Sequence, residues 1–210
     1  MPAIPPTSAL FAARESRSTL WSTALDTRVF GDREPGRKER FRLETERLYL
    51  REMTREDHDA LAAILTDGET MRYYPAPYDE AGVDRWIAWC LDSYEKRGFG
   101  LWAVILKETG GMIGDTGLSM QPIHGEWLPE IGYHFRKDLW RRGYAKEAAT
   151  AVRDWAFENT DFPALYSYMT VENLPSAATA RSVGMTWVED YTDERSGERL
   201  SVYRVERGAV

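Results

Sequence analysis

Three consecutive stretches, FGLWAVILK (99–107), MIGDTGLSM (112–120) and WLPEIGYHF (127–135), carry the apolar and β-branched patterning of strands. The first two are separated only by Glu108-Thr109-Gly110-Gly111, a hairpin-type turn. Strands joined so closely pair antiparallel, because a parallel return needs a crossover of a dozen residues or more. The rest of the chain must therefore build around an antiparallel sheet. Upstream, FRLETERLYLREM (41–53) alternates around Leu43, Leu48 and Leu50 and reads as one strand. Thr54 with Asp57 forms a capping-box pattern that opens a helix running to about Asp67. A second helix begins near Asp79, places Val83, Trp86, Ile87, Cys90, Leu91 and Tyr94 on one face, and ends at Gly98. After Gly143, Ala145, Ala148, Ala149, Val152, Trp155 and Ala156 mark a helix to about Asn159. LYSYMTV (165–171) is a strand, and PSAATARSV (175–183) is a short helix with proline in its first turn, stopped at Gly184. TWVEDYT and LSVYRVE close the chain as a hairpin across Asp193–Gly197. The order β-α-α-β-β-β-α-β-α-β-β describes a mixed α+β domain on a largely antiparallel sheet.

Composition removes several classes. With 210 residues, 43% of them hydrophobic, the chain can fill a core, yet no apolar run approaches the ~18 residues of a membrane helix. One cysteine, Cys90, excludes an intramolecular disulfide and any CxxC site. Three histidines, His58, His124 and His134, contain no i, i+4 pair, so no metal is expected. A net charge of −7 makes nucleic-acid binding a poor default, and neither nucleic acid nor membrane is an expected partner. Residues 1–40 differ from the rest: Pro2, Pro5 and Pro6 come early and GDREPGRKER closes the segment. They read as a flexible or loosely docked extension of a domain spanning 41–210. No secretory-signal pattern is visible, which points to the cytoplasm.

The most informative stretch is EIGYHFRKDLWRRGYAKEAA (130–149), where a strand, a polar loop and a helix follow one another. Backbone N–H groups in the first turn of a helix lack internal partners, and the helix dipole adds positive charge there. Gly143 allows close approach of an oxyanion, Ala145 does not obstruct it, and Arg141 and Arg142 add attraction. The turn suits a pyrophosphate, although it is neither a Walker loop nor a dinucleotide fingerprint. A second element, VENLPSAATARSVGM (171–185), sets Asn173 at a strand end and Ser176 at the opening of the next helix. Both could meet an amide-bearing ligand, and both residue types also serve routinely as helix caps.

Together with LETERLYLREM and GFGLWAVILKETGGMIGDTGL, these two segments resemble the GNAT superfamily of acetyl-CoA-dependent N-acetyltransferases from about Phe41 to Arg207. The likeness is to the branch holding the ribosomal-protein alanine and serine N-acetyltransferases. It implies a twisted, mostly antiparallel sheet with a splayed central strand pair, acetyl-CoA as cosubstrate and no metal. The pantetheine amides would pair with backbone at Tyr133, His134 and Phe135. The pyrophosphate would meet Arg141, Arg142, Gly143, Tyr144 and Ala145, and Asn173 would bind the pantetheine arm. Trp140 departs from the Gln or Arg that opens the family's loop pattern. The family's tyrosine acid is missing, because its place is Ala180, and Ser176 is the substitute near the sulfur. Glu130 is the favoured base, with His134 and Asp115 as other candidates. A backbone N–H near Tyr133 or His134 is the natural oxyanion donor. Strand alternation sets Glu130 and His134 on one face and Tyr133 and Phe135 on the other. Tyr73, Tyr74, Tyr78, Trp102 and Trp127 either line an acceptor groove or pack in the core. Cys90 reads as packing, and His58 and His124 as surface residues. The expected reaction is direct attack of a primary amine, on a peptide or small molecule, in a ternary complex, by a monomer or homodimer. The rival is a non-catalytic acyl-CoA-binding regulatory module.

Overall fold

The computed structural model describes residues 41–194 and 196–209; the expected 1–40 extension lies outside them. The first strand differs from expectation. Instead of one strand over 41–53, β1 (Phe41–Glu44) and β2 (Leu48–Arg51) form a tight antiparallel hairpin. Thr45 causes the reversal: its N–H donates to the Leu48 carbonyl at 3.0 Å and its Oγ1 accepts from Leu48 N–H at 3.1 Å. The capping box does form. Asp57 Oδ2 accepts from Thr54 N–H at 2.8 Å, opening a short 3-10 turn (Arg55–Asp57) that leads into α1 (His58–Leu65). Asp57 is also held by both terminal nitrogens of Arg51 at 2.7 Å, which fastens α1 to β2. Helix α2 (Glu80–Arg97) starts where the Asp79 carboxylate accepts from Gly82 N–H at 2.7 Å and ends on Gly98 at φ 73°.

Strands β3 (Leu101–Leu106), β4 (Met112–Ile123) and β5 (Glu126–Phe135) form the expected antiparallel centre. Helix α3 (Tyr144–Asn159), β6 (Ala164–Thr170), α4 (Leu174–Ser182), β7 (Thr186–Thr192) and β8 (Arg199–Glu206) complete the fold. The eight strands lie in the order β1-β2-β3-β4-β5-β6-β8-β7. Every neighbouring pair is antiparallel except β5–β6, which α3 connects in parallel. That pair touches at a single register position, Glu130↔Tyr166, and then diverges. The splayed central pair is therefore present.

Helices cover both faces of the sheet. On β3–β5, Ala103, Asp115 and His134 share one face, while Trp102, Thr116 and Tyr133 share the other, following the register of adjacent strands. Trp86 of α2 reaches Asp115 on the first face, and Trp155 of α3 packs edge-on against Trp102 on the second at 4.9 Å. Most of the buried apolar side chains form one core across these layers, including Leu61, Ile87, Cys90, Leu118 and Val152.

Candidate active site

The turn before α3 leaves the helix start uncapped. Arg141 has φ 62° and Gly143 has φ 82°, both in the left-handed region, and no side chain caps the helix. The first-turn amides of α3 are thus left for an external partner. Arg141, Arg142 and Gly143 are all exposed. Two contacts that sequence spacing could not reveal hold the turn in place. Arg47, in the β1–β2 turn, donates from Nη1 to the Arg142 carbonyl at 2.9 Å and from Nε to Glu147 at 2.7 Å, with its guanidinium 4.4 Å from the Tyr144 ring centre. Glu147 also accepts from Thr45 Oγ1 at 2.6 Å and from Arg47 N–H at 2.8 Å. The departure at Trp140 has a local reason: its indole N–H donates to the Phe135 carbonyl at 2.8 Å and so ties the loop to the end of β5.

At the second element, Asn173 Oδ1 accepts from Ser176 N–H at 3.2 Å, so the capping role is real. Among the described residues its Nδ2 makes no hydrogen bond. Ser176 Oγ lies 3.0 Å from the Tyr133 hydroxyl, which also donates to the Ser176 carbonyl at 2.9 Å. Burial raises the Tyr133 phenol to about 12 against the lowering effect of its Ser176 bond. Ala180, where the family's tyrosine would fall, is fully buried in the core. One helical turn earlier, Ser176 meets a phenol from β5 instead.

The opposite face of β4–β5 carries a buried polar row. Glu130, 1% exposed, accepts from Ser119 Oγ at 3.0 Å, and Gln121 Nε2 donates to the same Oγ at 3.0 Å. Burial pushes the Glu130 carboxyl up from 4.5 to about 7, only partly opposed by Ser119 and by His134 nearby. Farther along β5, His134 Nδ1 lies 2.7 Å from Asp115 Oδ1, and Trp86 Nε1 donates to Asp115 Oδ2 at 3.0 Å. His134 Nε2 is hydrogen-bonded to the Tyr74 hydroxyl. The β4–β5 register runs unbroken from Gly114↔Phe135 to Ile123↔Glu126, so the expected alternation holds, with Glu130 and His134 on one face.

Of the five aromatics read as a groove or core, Tyr74 and Tyr78 line a cavity of about 360 Å³ together with Pro75, Pro77, Asp79 and Arg85. Trp102 is fully buried and Trp127 is exposed, so neither lies in it. Cys90 is core packing, as its helical position indicates. The two remaining histidines do have partners: His58 faces Asp59, Glu80 and Asp84 within 3.7 Å, and His124 lies 3.1 Å from Glu189. Among the described residues no cluster of His, Cys, Asp or Glu could hold a metal ion, and no helix is long and apolar enough to cross a membrane.

The sheet thus opens between two parallel neighbours, and an uncapped helix start lies beyond the end of one of them. The family model of the acetyltransferase (GNAT) domain matches residues 47–186, and the chain belongs to this family of acetyl-CoA-dependent N-acetyltransferases. The uncharacterized protein YkkB of Bacillus subtilis (strain 168) is 32% identical over 163 residues, covering 77% of this chain and 94% of its own. An acetyltransferase structure from Agrobacterium tumefaciens str. C58 is 33% identical, with a TM-score of 0.67, covering 83% of this chain and 99% of that one. Two more distant structures share the fold. The ribosomal L7/L12 α-N-protein acetyltransferase RimL with coenzyme A has a TM-score of 0.65 at 16% identity, covering 79% of this chain and 97% of its own. A Vibrio cholerae spermidine N-acetyltransferase with CoA and spermine has a TM-score of 0.64 at 16% identity, covering 79% and 98%.

Proposed function

We propose that this chain moves acetyl from acetyl-CoA to a primary amine by direct attack in a ternary complex. The observation that carries the reading is the course of β5. It leaves β6 just past Glu130, presents Tyr133 to Ser176, and leads through Trp140 to the uncapped turn at Gly143. A diphosphate fits that turn, because the amides of Arg142, Gly143, Tyr144 and Ala145 lie where partial positive charge gathers. Arg141 or Arg142 reaches the 3′-phosphate. The edge of β5 at Tyr133, His134 and Phe135, facing away from β4, pairs with an extended amide-bearing arm as with an added strand. Asn173 offers its Nδ2 to the same arm. When bound, acetyl-CoA supplies the thioester carbonyl that the amine attacks. The Ser176 hydroxyl turns its proton from the Tyr133 oxygen to sulfur as it becomes thiolate. A backbone N–H at Tyr133 or His134 donates to the developing oxyanion. Glu130 takes a proton from the attacking nitrogen, directly or through water, and its carboxyl titrates near neutral pH as a base requires.

A peptide N-terminus is the first acceptor class, supported by the fold-level likeness to RimL; small amines are the second, supported equally by the spermidine enzyme. Coenzyme A release measured with Ala- and Ser-initiated peptides and with polyamines tests the reading. Turnover that falls in Ser176→Ala is the expected result. Acetyl-CoA binding without turnover on any amine would favour the regulatory module.

A further inference from the structure

We propose that an ammonium acceptor loses its first proton through the Tyr74 hydroxyl to His134 Nε2, with Asp115 stabilising the imidazolium that forms. This rests on the acetyltransferase reading and adds a second proton acceptor to Glu130. The bonds run in one direction when Asp115 is a carboxylate and His134 a neutral imidazole. Asp115 is fully buried, and its Oδ2 accepts from the Trp86 indole, which can only donate. As a carboxylate it accepts again through Oδ1, so His134 carries its proton on Nδ1. Nε2 is then an acceptor, and the Tyr74 hydroxyl must be its donor. The free lone pairs of that hydroxyl oxygen are left for a ligand. This is the logic of a hydroxyl, an imidazole and a carboxylate in series, in which the carboxylate sets the tautomer and the imidazole takes the proton.

Tyr74 belongs to the connection between α1 and α2, and it lines the cavity beside Tyr78 and Asp79. The Tyr78 hydroxyl oxygen is buried without a hydrogen-bond partner among the described residues, and Asp79 lines the cavity with its charge shared by Arg85, 3.7 Å away. Glu130 lies close enough for its charge to bear on the Tyr74 phenol. Burial keeps that phenol well above its ordinary value, so it passes a proton on rather than losing one outright.

The chemistry calls for two acceptors. A primary ammonium must lose one proton to expose its lone pair and a second after the carbon–nitrogen bond forms. In the first step an N–H proton moves to the Tyr74 oxygen as the phenolic proton moves to His134 Nε2; the phenol is regenerated and a neutral amine and an imidazolium remain. In the second, Glu130 takes a proton from the nitrogen of the tetrahedral adduct as the carbon–sulfur bond breaks. One of the two protons ends on the coenzyme A thiol and the other leaves to solvent.

The test compares two acceptors in CoA release: a peptide beginning with alanine, whose amine is largely protonated below its pKa, and the same peptide beginning with trifluoroalanine, whose fluorines keep the amine neutral. Tyr74→Phe and His134→Gln are expected to lower kcat by about 100-fold on the alanyl peptide, within the range for general base catalysis. On the neutral acceptor the loss in both variants should be at least about tenfold smaller than on the alanyl peptide, while Glu130→Gln slows both peptides to a similar degree. Tyr74→Phe removes one oxygen and decides the matter even if His134→Gln misfolds. Equal slowing on both peptides would show a structural role and overturn the proposal, as would no slowing on either. A wild-type protein that acetylates neither the peptides nor spermidine fails at the earlier step, and the amine-acetylation reading falls first.

Discussion

Glu130 is the residue at which burial and chemistry meet most directly. Its carboxyl, raised from 4.5 to about 7, holds a proton in the folded protein over a range where the unfolded chain has released it. The resulting stabilisation is complete below pH 4.5 and is lost as pH rises through about 7, roughly 3 kcal/mol in all. Glu130→Gln should therefore lag wild type most in the acid and gain on it as pH rises through about 7, which thermal melts at a series of pH values would record. The same substitution should remove the rise of kcat with pH near 7 and lower kcat by about 10²–10⁴-fold. Ala180→Tyr tests the other end of the reaction. The position is fully buried, so a phenol there overpacks the core by about 1–3 kcal/mol and lowers the melting temperature without raising kcat. The roles proposed for Glu130 and Ser176 come from the family likeness; strand alternation and a helix start give only their places in the fold. The partnership of Tyr74 with His134 was not legible in the sequence, since sixty positions separate the two and no local spacing records their contact.

Among the elements, α3 depends most on a distant support. Its first turn is gripped by Arg47 and Thr45 through Glu147, one hundred residues along the chain. Arg47→Ala is expected to weaken acetyl-CoA binding by about tenfold, a loss of about 1.4 kcal/mol, while leaving kcat at saturation nearly unchanged, as calorimetry and steady-state kinetics would show. Gly143→Ala should weaken it as well. A left-handed φ of 82° costs a non-glycine residue about 1–2 kcal/mol, and the added Cβ would stand 3.4 Å from Arg47 Nη2. Element order was readable from periodicity, including the helix limits at Asp79, Gly98 and Asn159. The hairpin at Thr45 was not. The turn Glu44–Arg47 contains no glycine, proline or asparagine, and its reversal depends on a threonine hydroxyl bonded to Leu48 and on Glu147 from another part of the fold.

At the scale of the whole molecule, the sheet is two antiparallel blocks joined by one parallel contact, Glu130↔Tyr166. Because that contact is so limited, the blocks part beyond it, and the edge of β5 becomes accessible next to Ser176 and the start of α3. The family likeness anticipated this opening; composition and periodicity could not, because pairing between β5 and β6 leaves no trace in either strand alone. The Tyr74–His134–Asp115 cluster was least legible, since it is assembled from the α1–α2 connection and from β4 and β5, which meet only after folding. The central claim is that the opening holds acetyl-CoA with its diphosphate on the Gly143 turn and its thioester beside Ser176. A crystal structure of the protein with acetyl-CoA tests it most directly. The account predicts diphosphate oxygens within hydrogen-bonding distance of the amides from Arg142 to Ala145 and the sulfur next to Ser176 Oγ. Acetyl-CoA bound elsewhere, with those amides facing only solvent, would contradict it.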